Sequence, residues 1–413
     1  MPSRFAALTR AELAGVLPEL LLIGQLIDRS GMAWCIAAWG REEMAQVAIE
    51  EWAAASPIYT RRMQRALGFE PPPGQGDVVT IFKGLQLDIG APPQFMDFRY
   101  TVHDRFHGDF HLDHCGALMD VEPMGESYVR SMCHDIEDPT FDATAVATNP
   151  RAQVRPVHRP PRSPAGRTPH CAWTVRIEDS HPEAVPTAGC LALQQSRAAS
   201  LELDPIVPGS DLGEGVSDYA GPLLSDLDFG AFSHSALVRL ADEVCLQMHL
   251  LVLGFQRALA QRGDDAQVRE IATKQLVGIA GVAAERLHCV LGLTHDEDGL
   301  QRTLAVHPLL NPAAYVPASF DDHSVRVTAG PAHADGGWIG LCGPDSTRPL
   351  DVIARAVDPL LGFVVEGGSD DWTARVVTLA EPAPDAEEVV VTRFSAGVSF
   401  EFEPRRSLPI TPV

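Results

Sequence analysis

Between residues 98 and 113 the chain alternates apolar and polar side chains, and this feature constrains the fold more than any other. The apolar positions are Phe98, Tyr100, Val102, Phe106, Phe110 and Leu112. The polar positions are Arg99, Thr101, His103, Arg105, His107, Asp109, His111 and Asp113. Because successive side chains of a β-strand point to opposite faces, this period of two predicts a long strand, or a hairpin turned at Gly108. The rest of the chain is expected to cover the apolar face.

Helical patterns surround this alternation. Apolar residues recur at three- and four-residue spacing over 11–27 and 41–67, and again over 231–262 and 264–293, where they predict an antiparallel helical pair. We therefore expect an α+β fold that combines N-terminal helices with an antiparallel sheet, the long helical pair and a small C-terminal α+β unit. The expected domains are an N-terminal α+β domain at 1–180, a linker or covering loop at 181–228, a helical hairpin at 229–296 and a C-terminal α+β domain at 297–413.

The charge balance limits the classes of partner. The chain has 32 basic and 55 acidic residues, for a formal charge of −23. Nucleic acids and anionic membranes are therefore unexpected partners, because phosphate binding needs a basic surface. The apolar run near the N-terminus is interrupted by charges, so it resembles neither a signal peptide nor a membrane span. With eight scattered cysteines, we expect reduced thiols and a cytoplasmic protein.

Histidines and cysteines crowd the segment from Arg99 to Asp135. Five of the fifteen histidines and two of the eight cysteines lie within it, among several acids. A first hypothesis is a metal site, for which zinc or ferrous iron would suit the nitrogen, sulfur and oxygen donors. The predicted metal ligands are His107, His111, His114 and Glu122. The alternatives are a solvated strand face and buried histidines with satisfied hydrogen bonds.

A second hypothesis is thiol chemistry in the same segment. The predicted catalytic residues are Cys133, His134, Asp135 and Cys115. Since neighbouring side chains diverge, Cys133 would need a base from elsewhere, such as His111, His114 or His158. A local basic run could lower the thiol pKa and hold a substrate carboxylate. The predicted substrate-binding residues there are Arg155, His158 and Arg159. The alternative is that these cysteines are small buried apolar residues.

The order of these residues resembles a known family. Cys115 is followed by the step Gly125-Glu126, then by Cys133 with Asp135 close behind, an arginine-bearing strand, and Cys171 with Trp173. This order, over roughly residues 30–180, is similar to the pattern of the L-2-amino-thiazoline-4-carboxylic acid hydrolase family. The resemblance implies hydrolysis of a carbon–nitrogen bond in a small ring, and it leaves the C-terminal half unassigned.

The function expected from the sequence is that of a hydrolase. It would cleave a C–N bond of a small amide-like or heterocyclic carboxylate through the Cys/His site, with a metal assisting if one is bound. One alternative is a small-ligand binding or sensing protein with a structural zinc or iron site. Another is an oligomerisation role, with homo-oligomers forming through the helical pair.

Overall fold

Two long helices open the fold. A computed structural model describes residues 1–207, 215–321 and 323–393. Helix α1 (Arg10–Trp39) begins at a capping box formed by Thr9 and Glu12, and α2 (Arg41–Ala66) follows after Gly40. Pro57 lies inside α2 without splitting it, because the surrounding residues are held by burial on both sides. Helix α3 (Val78–Leu85) is capped by Asp77, whose carboxylate accepts from the Thr80 amide at 2.9 Å.

The alternating segment forms a hairpin at the centre of the first sheet. Strand β1 (Met96–Asp104) pairs antiparallel with β2 (His107–Cys115), and the sheet order is β1-β2-β4-β3. The chain turns at Arg105 and Phe106 rather than at Gly108. Gly108 lies within β2, where a Cβ atom would come within 2.8 Å of the Phe82 ring. The apolar face of the sheet is covered by α3 and by the helices that follow β2.

A broken helical segment connects β2 to the remaining strands. It contains α4 (Gly116–Val121), α5 (Glu126–Arg130), a π-helical turn (Ser131–Ile136) and α6 (Glu137–Val146). Strands β3 (Ala152–His158) and β4 (Cys171–Ile177) complete the sheet. Cys171, Trp173 and Val175 all face its buried side, as the alternation in that strand predicts.

The predicted helical pair is present, but its two helices do not pack mainly on each other. Two short helices, α7 (Ala188–Leu193) and α8 (Arg197–Ser200), precede α9 (His234–Leu259) and α10 (Asp265–Val290). Helix α9 packs on α1 and α2, and α10 packs on α1 and on later helices. At Gly254 of α9 a Cβ atom would lie 3.0 Å from the Glu51 carbonyl oxygen, so glycine permits this close approach to α2. The apolar residues of α9 are buried within the chain itself.

The C-terminal part is built on a second antiparallel sheet, of order β5-β6-β8-β7. Its elements are α11 (Glu297–Val306), β5 (Ala318–Asp321), β6 (Ser324–Val327), α12 (Pro331–Asp335), α13 (Arg348–Val357), β7 (Leu361–Gly367), β8 (Trp372–Thr378) and α14 (Glu387–Arg393). The chain is thus α+β, as expected. One continuous set of buried apolar side chains runs through both halves. Among the described residues, no helix is both long and apolar enough to span a bilayer.

Candidate functional site

Three cysteines converge beneath the first sheet. Cys115 ends β2 and caps α4, Cys133 lies in the π-helical turn, and Cys171 begins β4. All three are buried, and the charge of Glu137 acts on each of them. The cluster unites two of the predicted catalytic residues, Cys115 and Cys133, with the third cysteine of the family resemblance.

The environment of these thiols keeps them protonated at neutral pH. Burial, followed by the nearby Glu137, raises the pKa of Cys115 to about 12, against weaker opposing effects from backbone amides and Arg29. Burial also raises the pKa of Cys133 and of Cys171 well above the ordinary thiol value. A thiol is a poor nucleophile in this state, because the thiolate is the reactive form.

His134 and Asp135 do not join the cysteines. His134 Nε2 lies 2.6 Å from the Pro160 carbonyl oxygen, to which the ring N–H donates. The side chain of Asp135 is exposed and makes no hydrogen bond or ion pair with the residues that the structure describes. The structure therefore does not bring Asp135, a predicted catalytic residue, to the cysteines. The helix continues through this turn, so the three consecutive residues point in different directions.

The four predicted metal ligands are not assembled. His107 and His111 lie on the outer face of β2, and His111 Nε2 is 3.6 Å from an Asp113 carboxylate oxygen. His114 is buried on the other side, as its position in the alternation predicts. It lies near Glu122, which accepts two hydrogen bonds from Arg162 at 2.6 and 3.0 Å. Because the sheet separates the two sides, one ion cannot bind all four.

Of the three predicted substrate-binding residues, Arg159 is the one whose charge acts on the cysteine cluster, where it lowers the pKa of Cys133 and of Glu137 against the larger effect of burial. Arg155 is largely exposed and pairs with Asp142 at 2.8 Å. Arg159 pairs with Asp138 and lies over the Trp173 ring. His158 is partly exposed, and burial together with the charges of Arg167 and His111 lowers its pKa. None of the three lines a cavity next to Glu137.

Carboxyl groups that the sequence did not single out surround a cavity next to the cysteines. The cavity has a volume of about 80 Å³, and its acidic wall residues are Asp28 from α1, Asp88 from the turn after α3, and Glu137 from α6. Glu51 of α2 is fully buried and faces Asp28. The Oε2 atom of Glu137 is buried without a hydrogen-bond donor among the residues described.

Burial shifts all of these carboxyl groups toward the protonated form. It raises the pKa of Glu137 to about 8, with Asp138 adding to the shift, and the pKa of Asp88 to about 6. The Tyr59 hydroxyl and the Gly90 amide donate hydrogen bonds to Asp88 at 2.9 and 2.7 Å. These hydrogen bonds favour the carboxylate and so oppose the rise in its pKa. Burial also raises the pKa of Asp28 and of Glu51. Two carboxyl groups that face each other in a dry site share one proton, since two like charges there are unfavourable.

A larger cavity adjoins the acidic one. It has a volume of about 300 Å³, and Asp28, Met132 and Ile136 line both. Its wall also carries the ion pair between Arg29 and Asp120. A cavity of this volume can hold a small molecule with a carboxylate near Arg29, and the shared wall residues place it beside the cavity that Glu137 lines.

A single sequence signal could have pointed to these acids. Asp28 and Glu51 lie on the buried sides of the long helices α1 and α2. An acid on the apolar side of a helix is unusual, because buried charge is costly without a partner. No local sequence pattern shows that the two acids meet, because their proximity depends on the tertiary packing of α1 against α2.

Alkylation of the native protein separates the thiol hypothesis from the carboxyl site. Cys289 is the exposed cysteine, and the other seven are buried. We expect iodoacetamide at neutral pH to add one label to the folded protein, at Cys289, and eight labels after denaturation, as counted by mass spectrometry. Selective labelling of Cys133 or Cys115 in the folded protein would instead favour a reactive thiol.

No protein-family model, no curated protein and no solved structure matches this chain. The resemblance to the L-2-amino-thiazoline-4-carboxylic acid hydrolase family thus stays a prediction.

Proposed function

We propose that the protein is an enzyme that hydrolyses a C–N bond of a small amide-like or heterocyclic carboxylate, with the reaction at the acidic cavity. The observation that carries the proposal is the convergence of Asp28, Asp88 and Glu137, with raised pKa values, on one cavity. Ionisable groups with strongly shifted pKa values in a cleft are typical of active sites. No metal is needed in this proposal.

Glu137 has the properties of a general base. Its pKa of about 8 lies close to neutral pH, where a base is both available in its charged form and strong enough to remove a proton. It would take a proton from a water molecule as the water oxygen attacks the carbon of the C–N bond. The Cys115 and Cys133 thiols behind it are neutral and keep its surroundings weakly polar, which maintains the raised pKa.

Asp28 has the properties of the acid in the same reaction. It lies in the cavity wall with Glu51 behind it, and burial raises the pKa of both carboxyl groups, so the pair would carry a proton. This proton would pass to the leaving nitrogen as the C–N bond breaks, and the proton that Glu137 takes from water would return to the pair afterwards. Arg29, in the wall of the larger cavity, would hold the substrate carboxylate beside its partner Asp120.

Substitution of Glu137 by glutamine tests the proposal. The amide has the same shape but cannot accept a proton, so we expect kcat to fall by about 10²–10⁴-fold. Hydrolysis of a panel of small cyclic and linear amide-like carboxylates is followed by mass spectrometry of the released products. In the wild type, kcat/KM should rise with pH up to about 8, because the free enzyme's base is then ionised.

The matched control is Glu126→Gln, at an exposed position of α5 that pairs with Arg130. This variant should retain wild-type activity and the wild-type pH profile. Full activity in the Glu137→Gln protein would contradict the proposal. Saturable binding of panel compounds without turnover would favour a ligand-binding function of the same cavities.

A further inference from the structure

We propose that His103, His107 and Asp109 bind one divalent transition-metal ion on the outer face of the first sheet. The site is separate from the acidic cavity, which lies on the covered side, and it goes beyond the proposed hydrolytic function. It also differs from the ligand set expected from the sequence, of which it keeps only His107.

The backbone brings the three side chains to one face. Asp109 is paired with Thr101 across the hairpin, and Asp104 is paired with His107. The register shifts between Val102 and Asp104, so His103 is the extra residue of a β-bulge. A bulge re-aims the side chain of its extra residue, and bulges are common next to functional sites. His103 is thereby directed at the two β2 residues.

The donor atoms are close enough for one ion. His103 Nε2 lies 2.7 Å from one carboxylate oxygen of Asp109, and His107 Nε2 lies 3.7 Å from the other. One donor atom from each residue lies within 4.8 Å of the other two. Around a zinc ion, with bonds of about 2.0–2.2 Å, donors are about 3.0–3.5 Å apart. Small side-chain rotations on a rigid hairpin would bring the donor-to-donor distances into this range.

The charge of the site suits a cation. The Asp109 carboxylate lies against both imidazole rings, 2.7 Å from His103 Nε2 and 3.7 Å from His107 Nε2. Arg176 neighbours His107 across the β2–β4 pairing, and Glu178 lies 3.8 Å from its guanidinium.

The donor set indicates the class of metal. Two imidazoles and one carboxylate suit zinc, cobalt, nickel, copper or ferrous iron better than magnesium or calcium, which prefer oxygen ligands. The three side chains are 28–41% exposed, so water can complete the coordination. The bound ion would join β1 to β2 at the bulge and stabilise the folded chain by mass action.

The test uses the full chain with Cys289→Ser, because the exposed thiol is a competing ligand. We expect it to bind one equivalent of Co²⁺, seen by its absorption spectrum, and one of Zn²⁺, seen by calorimetry. His103→Gln and His107→Gln should each weaken Zn²⁺ binding at least about tenfold. Zn²⁺ should raise the melting temperature of the parent protein and not that of these two variants.

His111→Gln is the matched control, since His111 lies on the same outer face two residues beyond Asp109 and pairs with Asp113. It should bind Zn²⁺ as the parent does. The proposal is overturned if the parent takes up no metal at a tenfold molar excess. It is equally overturned if His111→Gln weakens binding as much as the two ligand variants, or if both ligand variants bind normally. Circular dichroism verifies that each variant is folded.

Discussion

Replacing Glu243 by alanine is expected to lower the free energy of unfolding by about 3–5 kcal/mol, the typical cost of breaking a buried ion pair on one side. Glu243 lies on α9 and is 2% exposed. Its carboxylate accepts from Arg62 of α2 at 2.9 and 3.1 Å and from Arg239, one turn earlier on α9, at 2.9 Å. One carboxylate thus separates two guanidinium groups in a weakly polar interior.

The two arginines also donate hydrogen bonds to the end of α8 and to the segment that follows it. Arg62 donates to the carbonyl oxygens of Ala199 and Leu201 at 3.1 and 2.8 Å. Arg239 donates to those of Leu203 and Asp204 at 3.1 and 2.9 Å. Loss of the carboxylate would leave two positive charges facing each other. Arg62 and Arg239 would then repel each other and weaken their hydrogen bonds to this segment. This is why the expected cost exceeds that of a surface pair.

Urea unfolding measures this effect, with Glu126→Ala as the control. Glu126 and Arg130 form an exposed pair at 2.8 Å, so its loss should change the unfolding free energy by less than about 1 kcal/mol. Glu243→Gln keeps the shape and one of the two acceptor oxygens, so its loss of stability should fall between the two. A loss below about 1 kcal/mol in Glu243→Ala would mean that the buried network is not stabilising.

Local patterns in the sequence predict much of the first sheet and its helices. The alternation over 98–113 yields the hairpin, the shared face of His107 and His111, and the opposite direction of His114. The cap of α3 at Asp77 also follows from a local pattern, because aspartate is a favoured residue immediately before a helix. The predicted turn at Gly108 is wrong. Glycine is typical of turns, but Gly108 lies within β2, where the lack of a side chain permits close contact with Phe82.

The segment around Cys133 shows where local reasoning fails. The spacing over 123–132 predicts a short helix that ends before Cys133, and Pro139 predicts a loop. Instead the chain continues through a π-helical turn into α6, and Pro139 lies in the first turn of α6. Further along, the sequence over 337–342 predicts a strand, but this stretch contains a 3₁₀-helix at Trp338–Leu341. A strand is also predicted over 388–402. That stretch is helical as far as Arg393, and its remainder lies outside the described residues.

The candidate site could be predicted only in part, because most of it is tertiary. Cys115, Cys133 and Cys171 were recognised from their order, and they do converge. Asp28 and Glu51 lie 23 positions apart on two helices, and no local pattern brings them together. Their proximity depends on how α1, α2 and α9 pack. The same packing buries Glu137 next to the cysteines, which gives this acid its unusual properties.

The substitution Glu137→Gln is also expected to reduce the pH dependence of the free energy of unfolding. Burial raises the pKa of Glu137 from 4.5 to about 8, so the folded state binds this proton more tightly than the unfolded state. The unfolding free energy should therefore fall as pH rises through this window, by about 1.4 kcal/mol per pH unit and by roughly 4–5 kcal/mol in all. Below the unfolded pKa the contribution is fully present, and above about 8 it is lost.

Comparison of the two proteins isolates Glu137 from other titrating groups. Asp88 has a raised pKa of about 6 and adds to the fall. Buried His249 and His307, with pKa values lowered to about 4, have the opposite effect below the ordinary histidine value. These effects are common to wild type and variant, so the difference in unfolding free energy should shift in favour of Glu137→Gln between pH 5 and pH 8. Urea titrations across this range measure it. Parallel curves would show that the pKa of Glu137 is not raised in the folded protein, which would also remove the basis for its role as a base.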